Sequence, residues 1–98
     1  MKVTIITVTH NAALYLQECI NSVKNQSYQN IEHIVIDGES TDGTVAIIKL
    51  FDNHIAKWIS EKDNGMYQAI NKGMEMATGD VIGILNSEIG RASCRERV

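Results

Sequence analysis

The chain has 98 residues, 44% of them hydrophobic, and a formal net charge of −3. That length limits it to one domain or a part of one, because a doubly wound sheet ordinarily uses more chain than this. The acidic balance argues against a nucleic-acid partner and against an anionic membrane surface.

The predicted elements alternate along the chain. Residues 2–8 read as a first strand, β-branched almost throughout. Thr9, His10 and Asn11 break it, and Asn11 reads as a helix N-cap. Leu16, Cys19, Ile20 and Val23 then recur at helical spacing and predict a helix over 12–25. After a polar connection, residues 31–36 form a second strand that ends on Asp37. Gly38 follows at once, then Ser40, Thr41 and Asp42, all residues of the helix-capping kind. Thr44, Ile47, Ile48 and Phe51 mark one face of a helix over 42–51. Residues 55–60 read as a short third strand, with Trp58 as a core residue. Asn64 and Gly65 signal a turn. Met66, Ile70, Gly73, Met74 and Ala77 trace a third helix that Gly79 stops, and residues 80–86 give a fourth strand. The βαβαβαβ order predicts an α/β, Rossmann-like fold with a mostly parallel sheet and helices on both faces.

Asp37 would stand at the carboxyl end of its strand, where parallel sheets place ligand contacts. A carboxylate there equally serves to cap the backbone of its own loop. His10 lies just past the end of the first strand and faces the same crevice if the two strands are neighbours. His33 and His54 read as ordinary residues. No GxGxxG follows the first strand, and no P-loop, serine nucleophile elbow or HExxH is present. Cys19 and Cys94 fit neither a metal-binding nor a CxxC spacing. Residues 3–8 are too short for a signal sequence or a membrane span, so a cytoplasmic protein is expected, with peripheral membrane docking open to a longer parent.

The composition changes near residue 88. Residues 1–87 hold six Lys/Arg against ten Asp/Glu, whereas 88–98 hold three Arg against two Glu and show no apolar period. The expected division is a domain part over 1–87 and a non-native or junction-derived tail over 88–98.

Five stretches in order carry a resemblance. They are Val3-Thr4-Ile5-Ile6-Thr7-Val8-Thr9-His10-Asn11; Ile36-Asp37-Gly38-Glu39-Ser40-Thr41-Asp42-Gly43-Thr44; Asp63-Asn64-Gly65-Met66-Tyr67-Gln68-Ala69-Ile70-Asn71-Lys72-Gly73; Ala77-Thr78-Gly79-Asp80; and Leu85-Asn86-Ser87. Each is weak alone. Together they resemble the N-terminal, nucleotide-sugar-binding portion of a family 2 glycosyltransferase of the GT-A fold, truncated.

The resemblance implies a donor site. Val8, through its backbone, with Thr9 and His10, matches the family's first nucleobase-holding position, and Asp37 matches the second. A carboxylate there would accept from a uracil imide N–H. Gly38 stands where many relatives carry a second acid. Asp63 and Gly65 match the loop beside base and ribose. Asn71 and Lys72 match the helix lining the nucleotide pocket, with Lys72 offering charge to a pyrophosphate. Glu88 stands where relatives carry the aspartate that ligates Mg²⁺ or Mn²⁺, and its longer arm moves the oxygens.

The implied partner is a nucleoside-diphosphate sugar, in particular a UDP-sugar, and the implied reaction of a full-length parent is inverting transfer to a glycan or lipid-linked acceptor, as in polysaccharide biosynthesis. The acceptor half and its general base do not appear, so this chain alone is expected to bind donor without completing transfer. An exposed sheet edge at the last strand is expected to favour self-association. The alternatives are a non-enzymatic α/β nucleotide-binding or receiver-like module, or a partial gene product with no activity of its own. A receiver would want acids at the end of the first strand, and residues 7–11 contain none.

Overall fold

The computed structural model describes residues 1–11, 13–25, 30–62 and 65–86. The elements are β1 (Val3–Thr9), α1 (Ala13–Lys24), β2 (Ile31–Asp37), α2 (Thr44–Leu50), a single 3₁₀ turn (Asp52–His54), β3 (Lys57–Ser60), α3 (Met66–Met76) and β4 (Val81–Asn86). All strand pairs are parallel, in the order β3-β2-β1-β4. The predicted alternation and the Rossmann-like α/β class are therefore observed.

Strands β1 and β2 lie in the middle and are buried on both faces, which is why they read as nearly continuous β-branched runs. Ile6, Val8, Ile34 and Ile36 point to one face and pack with Ala69 of α3. Val35 points to the other and packs with Leu16 and Ile20 of α1 and Ile48 of α2. Trp58 is half-buried against that second cluster. Cys19 is fully buried on α1, as the helical spacing predicts. Among the described residues no helix is long and apolar enough to cross a membrane.

Two local expectations change. Gly79 does not stop α3, which ends at Met76 with the Ala77 N–H bonded to the Met74 carbonyl. Gly79 instead crosses β1 so closely that a Cβ would lie 2.4 Å from Thr4 Oγ1 and 2.7 Å from Thr4 N. Nor does Asn11 cap α1. Its amide oxygen accepts from the Thr41 N–H, while Asp42 Oδ2 accepts from the Ala13 N–H at the start of α1. A tertiary partner has taken each group that a local motif would use.

At the amino end of the sheet, Glu32 is buried and gathers the chain around it. Thr4 Oγ1 and the Thr78 N–H and hydroxyl donate to its carboxylate at 2.8–2.9 Å, and the Lys2 and Lys57 ammoniums lie 3.6 and 3.5 Å away. This node fastens the approach to β4 beneath β1 and β2, far from the carboxyl edge.

A candidate nucleotide site at the carboxyl edge of the sheet

The strand register sets the site. Thr9 is paired with Asp37, and Asp37 with Ser60, so the ends of β1, β2 and β3 fall in one row. The loops that leave this row are tied to one another. The Gly38 N–H donates to the Thr9 carbonyl at 2.9 Å, and the Glu61 N–H to the Asp37 carbonyl at 3.0 Å. The Asn11 N–H donates to Ser40 Oγ at 2.8 Å.

Asp37 is the centre of this row, and it is fully buried. Oδ2 accepts from the Ser40 N–H at 2.9 Å and from the Ser60 hydroxyl at 2.7 Å, and Oδ1 accepts from the Ser40 hydroxyl. The sequence leads one to expect a nucleobase at this carboxylate; in the structure its oxygens meet protein donors. Both oxygens are engaged by protein donors and neither reaches the surface. Asp37 holds the loop after β2 in shape, which is the capping role its position also allowed.

Val8 and Thr9 are likewise buried. The Val8 side chain belongs to the apolar cluster beneath α3, and Thr9 Oγ1 has no hydrogen-bond partner among the described residues. The surface at the end of β1 is therefore presented by His10. Its Nδ1 lies 2.8 Å from the Gly38 carbonyl oxygen. The next loop presents Glu39, whose φ of 59° puts a side chain in the left-handed region.

Asp42 organises both flanking helices. It accepts from the Thr44 hydroxyl and N–H and from the Ala13 N–H. The Thr44 hydroxyl, with these N–H groups, holds its carboxyl below the usual range against a smaller opposing effect of burial.

Lys72 of α3 joins the edge indirectly. Its ammonium sits 3.1 Å from Glu61 Oε1 and donates to the Lys62 carbonyl at 3.2 Å, just after β3. Gly65 is exposed at the start of α3, with φ 127°. Asn71 is exposed on α3, outside the network of strand ends. Asp63 and Glu88 lie outside the described residues, as does the 88–98 segment. Among the described residues no three His, Cys, Asp or Glu side chains gather as a cation site.

Ser60 and Glu61 escaped the sequence reading. Their signal is positional only: Ser60 ends β3 opposite Asp37, and Glu61 follows it.

Known proteins share this sequence and fold. The family model for glycosyl transferase family 2 matches residues 4–88. An uncharacterized glycosyltransferase of Mycobacterium tuberculosis is 43% identical over 86 residues, which is 87% of this chain and 33% of that protein. Glycosyltransferase GlyG of Streptococcus pneumoniae is 35% identical over 89 residues, 88% of this chain and 30% of that one. The mannosyltransferase PcManGT from Pyrobaculum calidifontis, solved with GDP-Man and Mn²⁺, superposes with a TM-score of 0.81 at 28% identity, covering 89% of this chain and 27% of that chain. S. aureus TarS 1-349 in complex with UDP-GlcNAc gives 0.80 at 26% identity, covering 90% and 27%. The chain thus spans about a third of the length of these relatives. With the matched region covering nearly all of the described sheet and its carboxyl edge, the chain belongs to glycosyl transferase family 2.

Proposed function

We propose that this chain is the donor-binding part of a glycosyltransferase, and that a nucleoside-diphosphate sugar, in particular a UDP-sugar, lies against the carboxyl ends of β1, β2 and β3. The observation that carries the reading is the cross-tied edge itself. The buried Asp37 carboxylate accepts from the Ser60 hydroxyl to brace it, and His10, Glu39 and the start of α3 are left exposed. Open parallel sheets bind nucleotides at this edge. Likeness to structures solved with GDP-Man or UDP-GlcNAc supports the same ligand class.

In this reading His10 and the backbone after Gly38 meet the base, with Thr9 setting the end of β1 and Val8 contributing backbone only. Asp63 and Gly65 border base and ribose. Asn71 and Lys72 face the diphosphate side, Lys72 through the proton donors its ammonium has left beyond Glu61 and Lys62. Mg²⁺ or Mn²⁺, with Glu88 as a ligand, would supply charge neutralisation of the departing diphosphate. The described residues alone form no such site. The full-length protein would pass the sugar, with inversion, to a glycan or lipid-linked acceptor.

Calorimetric titration of the chain with UDP, GDP and CDP tests the reading. A dissociation constant of about 0.1–1 mM for at least one of them is expected, weakened several-fold by His10→Ala. No heat from any of the three, or equal affinity in the variant, overturns it. Self-association through β4 is part of the same proposal, since Val81, Ile82 and Ile84 of this outer strand are all exposed. Light scattering should give a dimer or larger, and a clean monomer overturns that part.

A further inference from the structure

We propose that Asn11 is a positioning residue for the donor edge: it fixes the tautomer and ring plane of His10 and straps the loop after β2 to the end of β1.

The Thr41 N–H can only donate, and it lies 2.7 Å from Asn11 Oδ1. The amide oxygen of Asn11 is thereby assigned to Thr41, and its nitrogen to the opposite side. That nitrogen, a donor only, lies 3.4 Å from His10 Nε2, which must then offer a lone pair. On the other side of the ring, the Gly38 carbonyl can only accept, at 2.8 Å from Nδ1. So Nδ1 carries the proton. Two independent contacts select the same neutral tautomer and hold the ring at both nitrogens.

A turn residue would explain less. Asn11 has φ 47°, and asparagine tolerates the left-handed region, but glycine would serve a turn as well. A turn does not account for the hydrogen bonds that join Asn11 to His10, Ser40 and Thr41, the last two about 30 residues away in sequence. The bond to Ser40 Oγ also continues inward, because the Ser40 hydroxyl donates to Asp37, which in turn accepts from Ser60. Asn11 is the outer end of a chain of hydrogen bonds that runs across three strand ends.

The consequence is preorganisation. A surface imidazole normally loses rotamer and tautomer freedom when a ligand packs on it, and each ordered side chain costs binding free energy. Here that ordering is complete before the ligand arrives. The effect on nucleoside-diphosphate affinity rests on the donor-binding reading, whereas the fixed tautomer does not.

The test therefore has two readouts on the whole chain. Long-range ¹H–¹⁵N NMR of the histidine rings, assigned with His10→Ala, should show the Nδ1–H form of His10 in the wild type. Asn11→Gly keeps the left-handed backbone and the N–H to Ser40 but removes the side-chain bonds to His10 and Thr41, so His10 should become a tautomer mixture. Asn11→Asp keeps the acceptor for Thr41 and replaces the donor to Nε2 with an acceptor, so Nε2 should gain a proton. In UDP titrations Asn11→Gly should weaken binding about 2- to 10-fold, the range that ordering one side chain commands. The loss should vanish in a His10→Ala background. An Nε2–H tautomer in the wild type, or an Asn11→Gly variant with unchanged ring signals, overturns the proposal. An equal loss of affinity with and without His10 overturns the route through His10. A wild type with the expected tautomer that binds no nucleoside diphosphate overturns the donor-binding reading and the role in affinity, and leaves the fixation of His10 standing.

Discussion

Ser60 donates its hydroxyl to Asp37 at 2.7 Å across the β2–β3 pair, at the register position where the two strands end together. This bond turns the most conspicuous acid of the sequence into a brace. Replacing Asp37 by Ala would leave the Ser40 N–H, the Ser40 hydroxyl and the Ser60 hydroxyl without their acceptor. Ser40 is half-buried and Ser60 exposed, so water reaches part of what is lost, and removing this buried charged acceptor costs about 2–3 kcal/mol, whereas Ser60→Ala, which removes one donor, costs about 1 kcal/mol. Urea unfolding of both variants checks the ratio. Equal stability of Asp37→Ala and wild type would show that the carboxylate is free to serve a ligand.

The sequence made the alternation of strands and helices legible because β1 and β2 are covered on both faces and carry unbroken β-branched runs. It also located Asp37 at a strand end. It did not show which way that carboxylate points, because the deciding partner, Ser60, is 23 residues away and becomes a neighbour only through strand register. Asn11 is a similar case. Its residue type is favoured at helix starts, but Thr41 of another loop supplies a competing donor, and α1 receives Asp42 instead. Gly79 was legible as a special position, but the reason is the backbone of Thr4 beneath it.

Glu39 adopts φ 59° on the exposed rim of the site. A side chain in the left-handed region costs of order 1 kcal/mol that glycine does not incur. Glu39→Gly should therefore raise stability by about 1 kcal/mol, read as a higher urea midpoint with an unchanged slope. A lower midpoint would mean that the Glu39 side chain makes a stabilising contact that outweighs its backbone.

Glu32 links stability to acid. Burial alone would raise its pKa, but hydrogen bonds from the Thr78 N–H and from the Thr4 and Thr78 hydroxyls, with the charge of Lys2, outweigh burial and hold it at about 2. The folded value lies below the unfolded one, so the unfolded chain takes up the proton first as pH falls. The contribution is complete above the ordinary glutamate range and is lost between about pH 4.5 and 2, amounting to about 3 kcal/mol. Glu32→Gln should flatten that part of the stability profile while lowering the plateau near neutrality. A profile as steep as the wild type below pH 4.5 would place the acid sensitivity elsewhere.

His33 should act in the window just above. It is buried in the middle of β2, with Nε2 paired to the Thr7 hydroxyl at 2.7 Å and Nδ1 lacking a partner among the described residues. Desolvation pushes its pKa down from 6.5 to about 4, because no buried acceptor stabilises the second proton. The ring is neutral in the fold, and the unfolded chain binds the proton first. Stability is therefore complete above about pH 6.5, falls as the pH drops toward 4, and levels off below that, with a total of about 3 kcal/mol. Urea unfolding across pH 4–7 should show this loss, and His33→Gln should remove most of the slope between pH 6.5 and 4 even though the variant starts from a lower stability. The Glu32 window below pH 4.5 should remain in that variant. An unchanged slope from pH 6.5 to 4 in His33→Gln would mean that the buried ring does not set the response to mild acid.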